Sequence, residues 1–196
     1  MKKESKIKWD YRNEINKPIK SGSLILSEPF MLDPSFNRSA CFVVSHNKKE
    51  GTFGFILNKE TGETLSSLLE TDIDWPIYYG GPVETDTLFF LHNNSFDLKD
   101  SIKITDSLFW HGNFEELVSK IRNGEVKQSD IRFFVGYSGW DGGQLRREII
   151  ENSWIVSDLE NENIFSDPKN IWNDTLKEMG GIYKEFSNFP IDPNLN

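Results

Sequence analysis

Two apolar runs on either side of the five residues Asn47-Lys48-Lys49-Glu50-Gly51 constrain this chain more than any other feature. The first run is Cys41-Phe42-Val43-Val44-Ser45-His46 and the second is Thr52-Phe53-Gly54-Phe55-Ile56-Leu57-Asn58. Both are rich in the β-branched and aromatic side chains that suit a pleated, half-buried surface. The first is apolar at consecutive positions and reads as a mostly buried strand. A polar link ending in glycine has the character of a hairpin loop, so the two strands are expected to pair antiparallel.

More strands surround this hairpin. Ser23–Ser27 predicts one that stops at Glu28-Pro29, because the residue before proline is pushed towards extended geometry. Ile77-Tyr78-Tyr79 is a short strand running into Gly80-Gly81-Pro82-Val83, and Leu88–His92 is another, ending at Asn93-Asn94-Ser95. Ser101–Thr105 alternates as a half-exposed strand would, Ile131–Tyr137 reads as a central strand, and Trp154–Val156 as a short one. Helices are expected at Thr64–Glu70 and from Asn113, where Asn113 is a good cap and Glu116 stands three residues on. Gly124 can end that helix in the left-handed conformation. A third helix is expected after Trp140, with Asp141 as its cap, and a fourth from Asp167-Pro168 to Gly180-Gly181.

Strands come first and helices interleave later, without strict βαβ alternation. The expected class is α+β with a mainly antiparallel or mixed sheet. Residues 21–185 are expected to form one domain, residues 1–20 a basic extension with Trp9 and Tyr11 as candidate anchors, and residues 186–196 an irregular tail.

Composition narrows the function. Fifteen Phe and six Trp among 196 residues favour a packed core over disorder. Cys41 is the one cysteine, so no intrachain disulfide can form, and its neighbours make it a small buried hydrophobe. The lysine-rich start has no apolar segment behind it, and no apolar run is long enough to span a bilayer, so the expected location is the cytoplasm. Net charge is −9 but unevenly placed: residues 1–20 hold seven Lys/Arg and three Asp/Glu, a net of +4, leaving −13 on the rest. A body this acidic repels phosphates, so direct nucleic-acid binding is not expected, and a protein partner is.

The motifs that suggest chemistry are incomplete. Gly136-Tyr137-Ser138-Gly139-Trp140 approaches a nucleophile elbow, but Trp140 stands where the second glycine is required. Gly139–Gln144 precedes a helix, as phosphate loops do, but has no following Lys-Ser/Thr pair and places Asp141 at its mouth; Arg146 and Arg147 are the groups that would rescue an anion site. His46, His92 and His111 have no zinc spacing, though His46 and His92 sit at strand ends that would converge in neighbouring strands. Neither a metal nor a cofactor is expected.

Taken together, several segments resemble the YqgE/AlgH family of bacterial proteins. They are Leu24–Pro29 with Asp33–Ser39, Gly51–Lys59, Tyr79-Gly80-Gly81-Pro82-Val83 with Leu91-His92, and Gly136–Trp140 with Gly143-Gln144-Leu145 and Trp154. Order and spacing match over about residues 21–180. Two positions depart: Arg146 stands where the family commonly has Glu, and His111 where close relatives often have Gly. The resemblance implies a bifurcated, partly barrel-like sheet flanked by helices and no established activity; members often carry a transcriptional-regulator label from a link to alginate production. The expected role is a non-enzymatic regulatory or protein-interaction one, with a small-ligand binder or enzyme as the alternative. The candidate functional surface is Asp33, Arg38, Asn58, Gly80, Gly81, Pro82, His92, Ser138, Gly139, Trp140 and Gln144.

Overall fold

The computed structural model describes residues 17–157, 164–165 and 167–189. Its strands are β1 (Leu24–Ser27), β2 (Ala40–Asn47), β3 (Gly51–Ile56), β4 (Glu60–Thr64), β5 (Pro76–Tyr79), β6 (Val83–Asn93), β7 (Ile102–Lys103), β8 (Leu108–Trp110), β9 (Ile131–Trp140) and β10 (Trp154–Ser157). Its α-helices are α1 (Leu65–Leu68), α2 (Phe114–Arg122), α3 (Gln144–Ile150), α4 (Ile171–Met179) and α5 (Gly181–Phe186). No helix among the described residues is long and apolar enough to cross a membrane.

One sheet runs β10–β1–β2–β3–β9–β6–β8–β7, and β5 branches from β9 carrying β4 on its outer edge. The branch arises because one edge of β9 serves two partners in turn. Phe133–Val135 pair in parallel with Ile77–Tyr79 of β5. A few residues later Ser138–Trp140 pair antiparallel with Thr52–Gly54 of β3. The other edge of β9 stays with β6 throughout, from Ile131 opposite His92 to Tyr137 opposite Val83. Every strand pairing except β5–β9 is antiparallel. The expected α+β class with a bifurcated, mainly antiparallel sheet is therefore correct, and the sheet curls into half a barrel.

The strands at the centre have two buried faces, which is why they read as continuous apolar runs. Side chains alternate across the sheet plane. Leu26, Phe42, Phe55 and Phe134 face the inner core, which Trp172 and Leu176 of α4 and Phe186 of α5 complete. Their sequence neighbours Ile25, Cys41 and Val43 face the opposite side, where Leu145 and Ile149 of α3 cover them. On the β5–β6 side, Ile77, Phe90 and Phe133 pack on Leu117 of α2 and Leu65 of α1. Each wholly buried Phe or Leu contributes roughly 1.5–3 kcal/mol relative to exposure, so three helical covers anchor one sheet.

The hairpin, the central strand and helix α2 lie where the sequence places them. Asn113 caps α2 by accepting the Glu116 N–H at 2.9 Å. Gly124 follows it at φ +74°. Glu116 does not close the expected capping box; its carboxylate instead accepts the Lys99 N–H at 3.2 Å. Asp141 is not the cap of α3. That helix starts two residues later, behind Gly143, and Gln144 reaches back to accept the Asp141 N–H at 2.8 Å. Strand β4 is polar and exposed, and β8 is three residues long, so neither carried a period to read. Ile19, at the end of the expected extension, packs on the α3 side of the sheet. Trp9, Tyr11 and residues 190–196 lie outside the described residues.

The fork itself rests on glycine. Gly136 lies at φ +70°, and a Cβ on it would sit 2.4 Å from the Gly81 carbonyl oxygen and 2.9 Å from that of Val83. Gly62 has a comparable φ of +82° but open space around it. Gly62→Ala should therefore cost about 1–2 kcal/mol from backbone strain alone. Gly136→Ala should cost at least about 3 kcal/mol, because it adds a collision with fixed backbone to the same strain. Urea unfolding of both variants checks this, and equal losses would refute the account of the fork.

Candidate functional site

The glycine-rich candidates meet at the fork. Gly80 leaves the end of β5 and sits between β3 and β9: its N–H donates to Val135 O at 2.9 Å, and its carbonyl accepts the Ile56 N–H at 2.9 Å. The Ser138 hydroxyl donates to the same carbonyl at 3.0 Å. A Cβ on Gly80 would lie 2.2 Å from Gly136 O and 3.0 Å from the Phe55 ring, and one on Gly81 would lie 2.3 Å from the Tyr137 carbonyl. The space left empty at Gly80 lets Phe55 of β3 stack on Phe134 of β9, with centroids 4.7 Å apart and planes 8° from parallel. Gly80, Gly81 and Ser138 are buried, whereas Pro82 and Gly139 are exposed. The hydroxyl that an elbow would present to substrate is fully buried inside a strand.

Trp140 and Gln144 belong to a second assembly, and its centre, Glu148, was missed in the sequence. One Glu148 oxygen accepts both indole N–H groups, from Trp140 and Trp154, at 2.9 Å each. The other accepts the Gln144 side-chain amide at 2.8 Å. The two indoles meet edge to face at 5.6 Å, and Phe36 packs against both. The signal was present as Gln144 and Glu148 at i,i+4 on one helix face, but nothing local says that two distant tryptophans converge there. The arrangement clamps the end of β9 and the start of β10 to α3.

Asp33, Arg38 and Asn58 form a third group around the loop between β1 and β2. Asp33 closes its turn by accepting the Ser35 N–H on its side chain at 2.8 Å. Its carbonyl takes the N–H groups of Phe36 and Asn37 at 3.0 and 2.8 Å. Asn58 accepts the Ala40 N–H and donates to Arg38 O, both at 2.8 Å. Arg38 has φ +48°, rests 5.1 Å above the Trp172 ring and donates to the Phe189 carbonyl. Lys59, not singled out in the sequence, donates to Pro34 O and Ser35 O at 2.7 and 2.9 Å. Burial pushes its ammonium down from the usual lysine range and Asp33 pulls it back. At the tip of this braced loop Leu32 is 93% exposed and Phe30 45% exposed.

His92 stands apart from His46, because their strands, β6 and β2, are not neighbours in the sheet and the condition for convergence is not met. It is buried between Phe96 and Phe109, with ring centroids at 5.0 and 5.5 Å. Its Nδ1 bonds Asn93 O and its Nε2 bonds Ser101 Oγ, each at 2.9 Å. His46 instead bonds Thr52 Oγ1 at 2.6 Å. Cys41 is buried, and burial pushes its thiol up to about 12, far from a reactive thiolate. The eleven candidates thus divide into a fork, an indole clamp, a braced loop and an isolated histidine rather than one pocket.

The fold defines a class: α+β proteins whose forked antiparallel sheet curls into half a barrel with helices on both outer faces. Solved structures share it, two of them as follows. The solution structure of AlgH from Pseudomonas aeruginosa superposes with a TM-score of 0.69 at 24% identity, covering 89% of this chain and 96% of that one. The crystal structure of a Corynebacterium diphtheriae protein gives 0.72 at 21%, covering 89% and 94%. A family model described as AlgH-like matches residues 24–184. A UPF0301 protein from Cytophaga hutchinsonii is 44% identical over 89% of this chain and 98% of its own length. One from Parabacteroides distasonis is 39% identical over 89% and 90%. The chain belongs to the AlgH-like family.

Two outcomes follow from the site geometry. Glu148→Gln replaces an acceptor shared by three donors with a group that must turn its own N–H₂ towards one of them. It should lose about 1–3 kcal/mol in chemical unfolding, with altered tryptophan emission; an unchanged midpoint and spectrum would contradict the clamp. His92 is held below its ordinary range, mainly by burial, with its backbone hydrogen bonds opposing. The unfolded chain binds a proton on this ring near pH 6.5, the folded chain only at lower pH, so this contribution to stability falls as pH drops below about 6.5. The stability gap between the wild type and His92→Gln should narrow from about pH 7.5 to about pH 5 in unfolding titrations. A gap independent of pH would rule this out.

Proposed function

We propose that this protein is a non-catalytic regulatory or interaction protein of the cytoplasm, and that the loop at residues 28–39 is its contact with a protein partner. The observation that carries the reading is an apolar tip on a rigid base. Leu32 projects at 93% exposure from a loop held by Asp33, Asn37, Asn58 and Lys59. Phe30 beside it stacks on Phe189 at 5.3 Å. Burying such a leucine in a partner stabilises the complex by roughly 1.5–3 kcal/mol, and a loop already fixed loses little entropy on docking.

Other supports come from what the remaining candidates do. Ser138, Gln144 and Trp140 spend their polar groups on framework bonds. Electrostatics disfavours nucleic acid as the partner, since the chain beyond residue 20 carries −13. A protein surface with an apolar cleft and a basic rim is the complement that this charge selects.

A photo-crosslinking residue at position 32, in cells, should give one discrete adduct, while the same residue at exposed Ile102 should not. The partner so identified, once purified, should bind Leu32→Asp at least tenfold more weakly than wild type. A diffuse smear from position 32, or an affinity that Leu32→Asp leaves intact, would remove the loop as the contact.

A further inference from the structure

The β2–β3 hairpin and the approach to α3 enclose a cavity of about 390 Å³ whose ionisable lining, among the described residues, is basic: Lys17, His46, Lys48 and Arg146. Among the described residues no carboxylate shares the lining, in a chain with 31 Asp/Glu against 22 Lys/Arg. The rest of the wall includes Pro18, Ile19 and Leu145, and Leu145 is 1% exposed. We infer that this cavity is a binding site for a small organic anion: an oxyanion head, phosphate or carboxylate, on an apolar body.

The walls are set by backbone packing. A Cβ on Gly142 would lie 2.1 Å from Lys49 O, and one on Gly51 would lie 2.6 Å from Trp140 O. These approaches lock the hairpin turn against the segment leading into α3, so Lys48 on one wall and Arg146 on the other keep their separation. The Lys17 ammonium is anchored by donating to Val156 O at 3.3 Å. His46 engages Thr52 through Nδ1, which leaves Nε2 as the ring atom for a ligand. Burial and the nearby Lys48 both lower the His46 pKa, as a site with positive potential requires. A volume near 400 Å³ is that of a small-metabolite site rather than a macromolecular groove, and an apolar wall with a few convergent polar groups is the usual make-up of such sites. Guanidinium and ammonium groups on opposing walls suit a tetrahedral or planar oxyanion.

The test is a titration of the full-length protein, followed by amide chemical shifts, with phenyl phosphate, benzoate, inorganic phosphate and phenol. Phenyl phosphate or benzoate should give saturable shifts confined to residues 17–19, 46–52 and 143–146, and the tighter of the two identifies the head group. Arg146→Glu and Lys48→Glu should each weaken that binding at least tenfold, while Lys177→Glu on the exposed side of α4 should not. Three results overturn the assignment. They are no saturable shifts from either aromatic anion, phenol or inorganic phosphate binding as tightly as the anions that combine both features, and charge-reversed variants that bind like wild type.

Discussion

The structure depends on one close approach of backbone to backbone. At the fork, Gly80 and Gly81 cross Gly136, Tyr137 and Ser138 at distances that leave no room for a Cβ on three of the five residues. Because they fit, β9 can give up β5 and take β3 on the same edge. A single flat sheet would offer only two faces for helices to cover. The fork turns the sheet into a curled trough with one shared interior and two separate outer faces, each closed by its own helix. The Phe55–Phe134 stack spans the two branches and occupies the room that Gly80 leaves. Backbone approach and aromatic packing at the fork therefore reinforce each other.

This explains why the glycine-rich segments look catalytic in sequence. Enzymes use glycine where backbone must approach a ligand closely; here the approaching group is another stretch of the same chain. Ser138, the apparent nucleophile, donates to Gly80 O and helps hold the crossing together. The half-buried Glu148 acts similarly, since it joins two indoles that lie apart in sequence. Polar residues in both motifs are consumed by architecture, and the exposed chemistry moves elsewhere, to the loop tip at Leu32 and the basic cavity beside His46.

How much was readable from sequence follows the range of the interactions. The hairpin, strand β9 and helix α2 were plain because their signals are local: a polar link, a continuous apolar run, a cap with helical spacing. The fork was not plain as geometry, because Gly80 and Gly136 are 56 residues apart and each alone reads as a turn glycine. The half barrel entered only through resemblance to a family. Candidate residues were chosen by type and position in motifs, and this found framework positions as readily as surface ones. Leu32, Lys59 and Glu148 escaped because an exposed leucine, a lysine bonded to carbonyls and a glutamate under tryptophans have no mark in a one-dimensional pattern.

Charge placement adds the last constraint. A body at −13 beyond residue 20 sets up a field that repels polyanions at long range. Against that background Lys17, His46, Lys48 and Arg146 stand together around one small cavity. Such a cluster persists most readily where neighbouring backbone fixes it, and Gly142 and Gly51 supply that fixing here by packing on Lys49 and Trp140. The same glycine-mediated packing that builds the fork thus also holds three cations and a histidine around one hollow. An apolar loop tip on a rigid base and a small cavity lined by basic side chains are then two consequences of a single way of building: backbone held close by glycine and by backbone hydrogen bonds, with side chains left exposed around it.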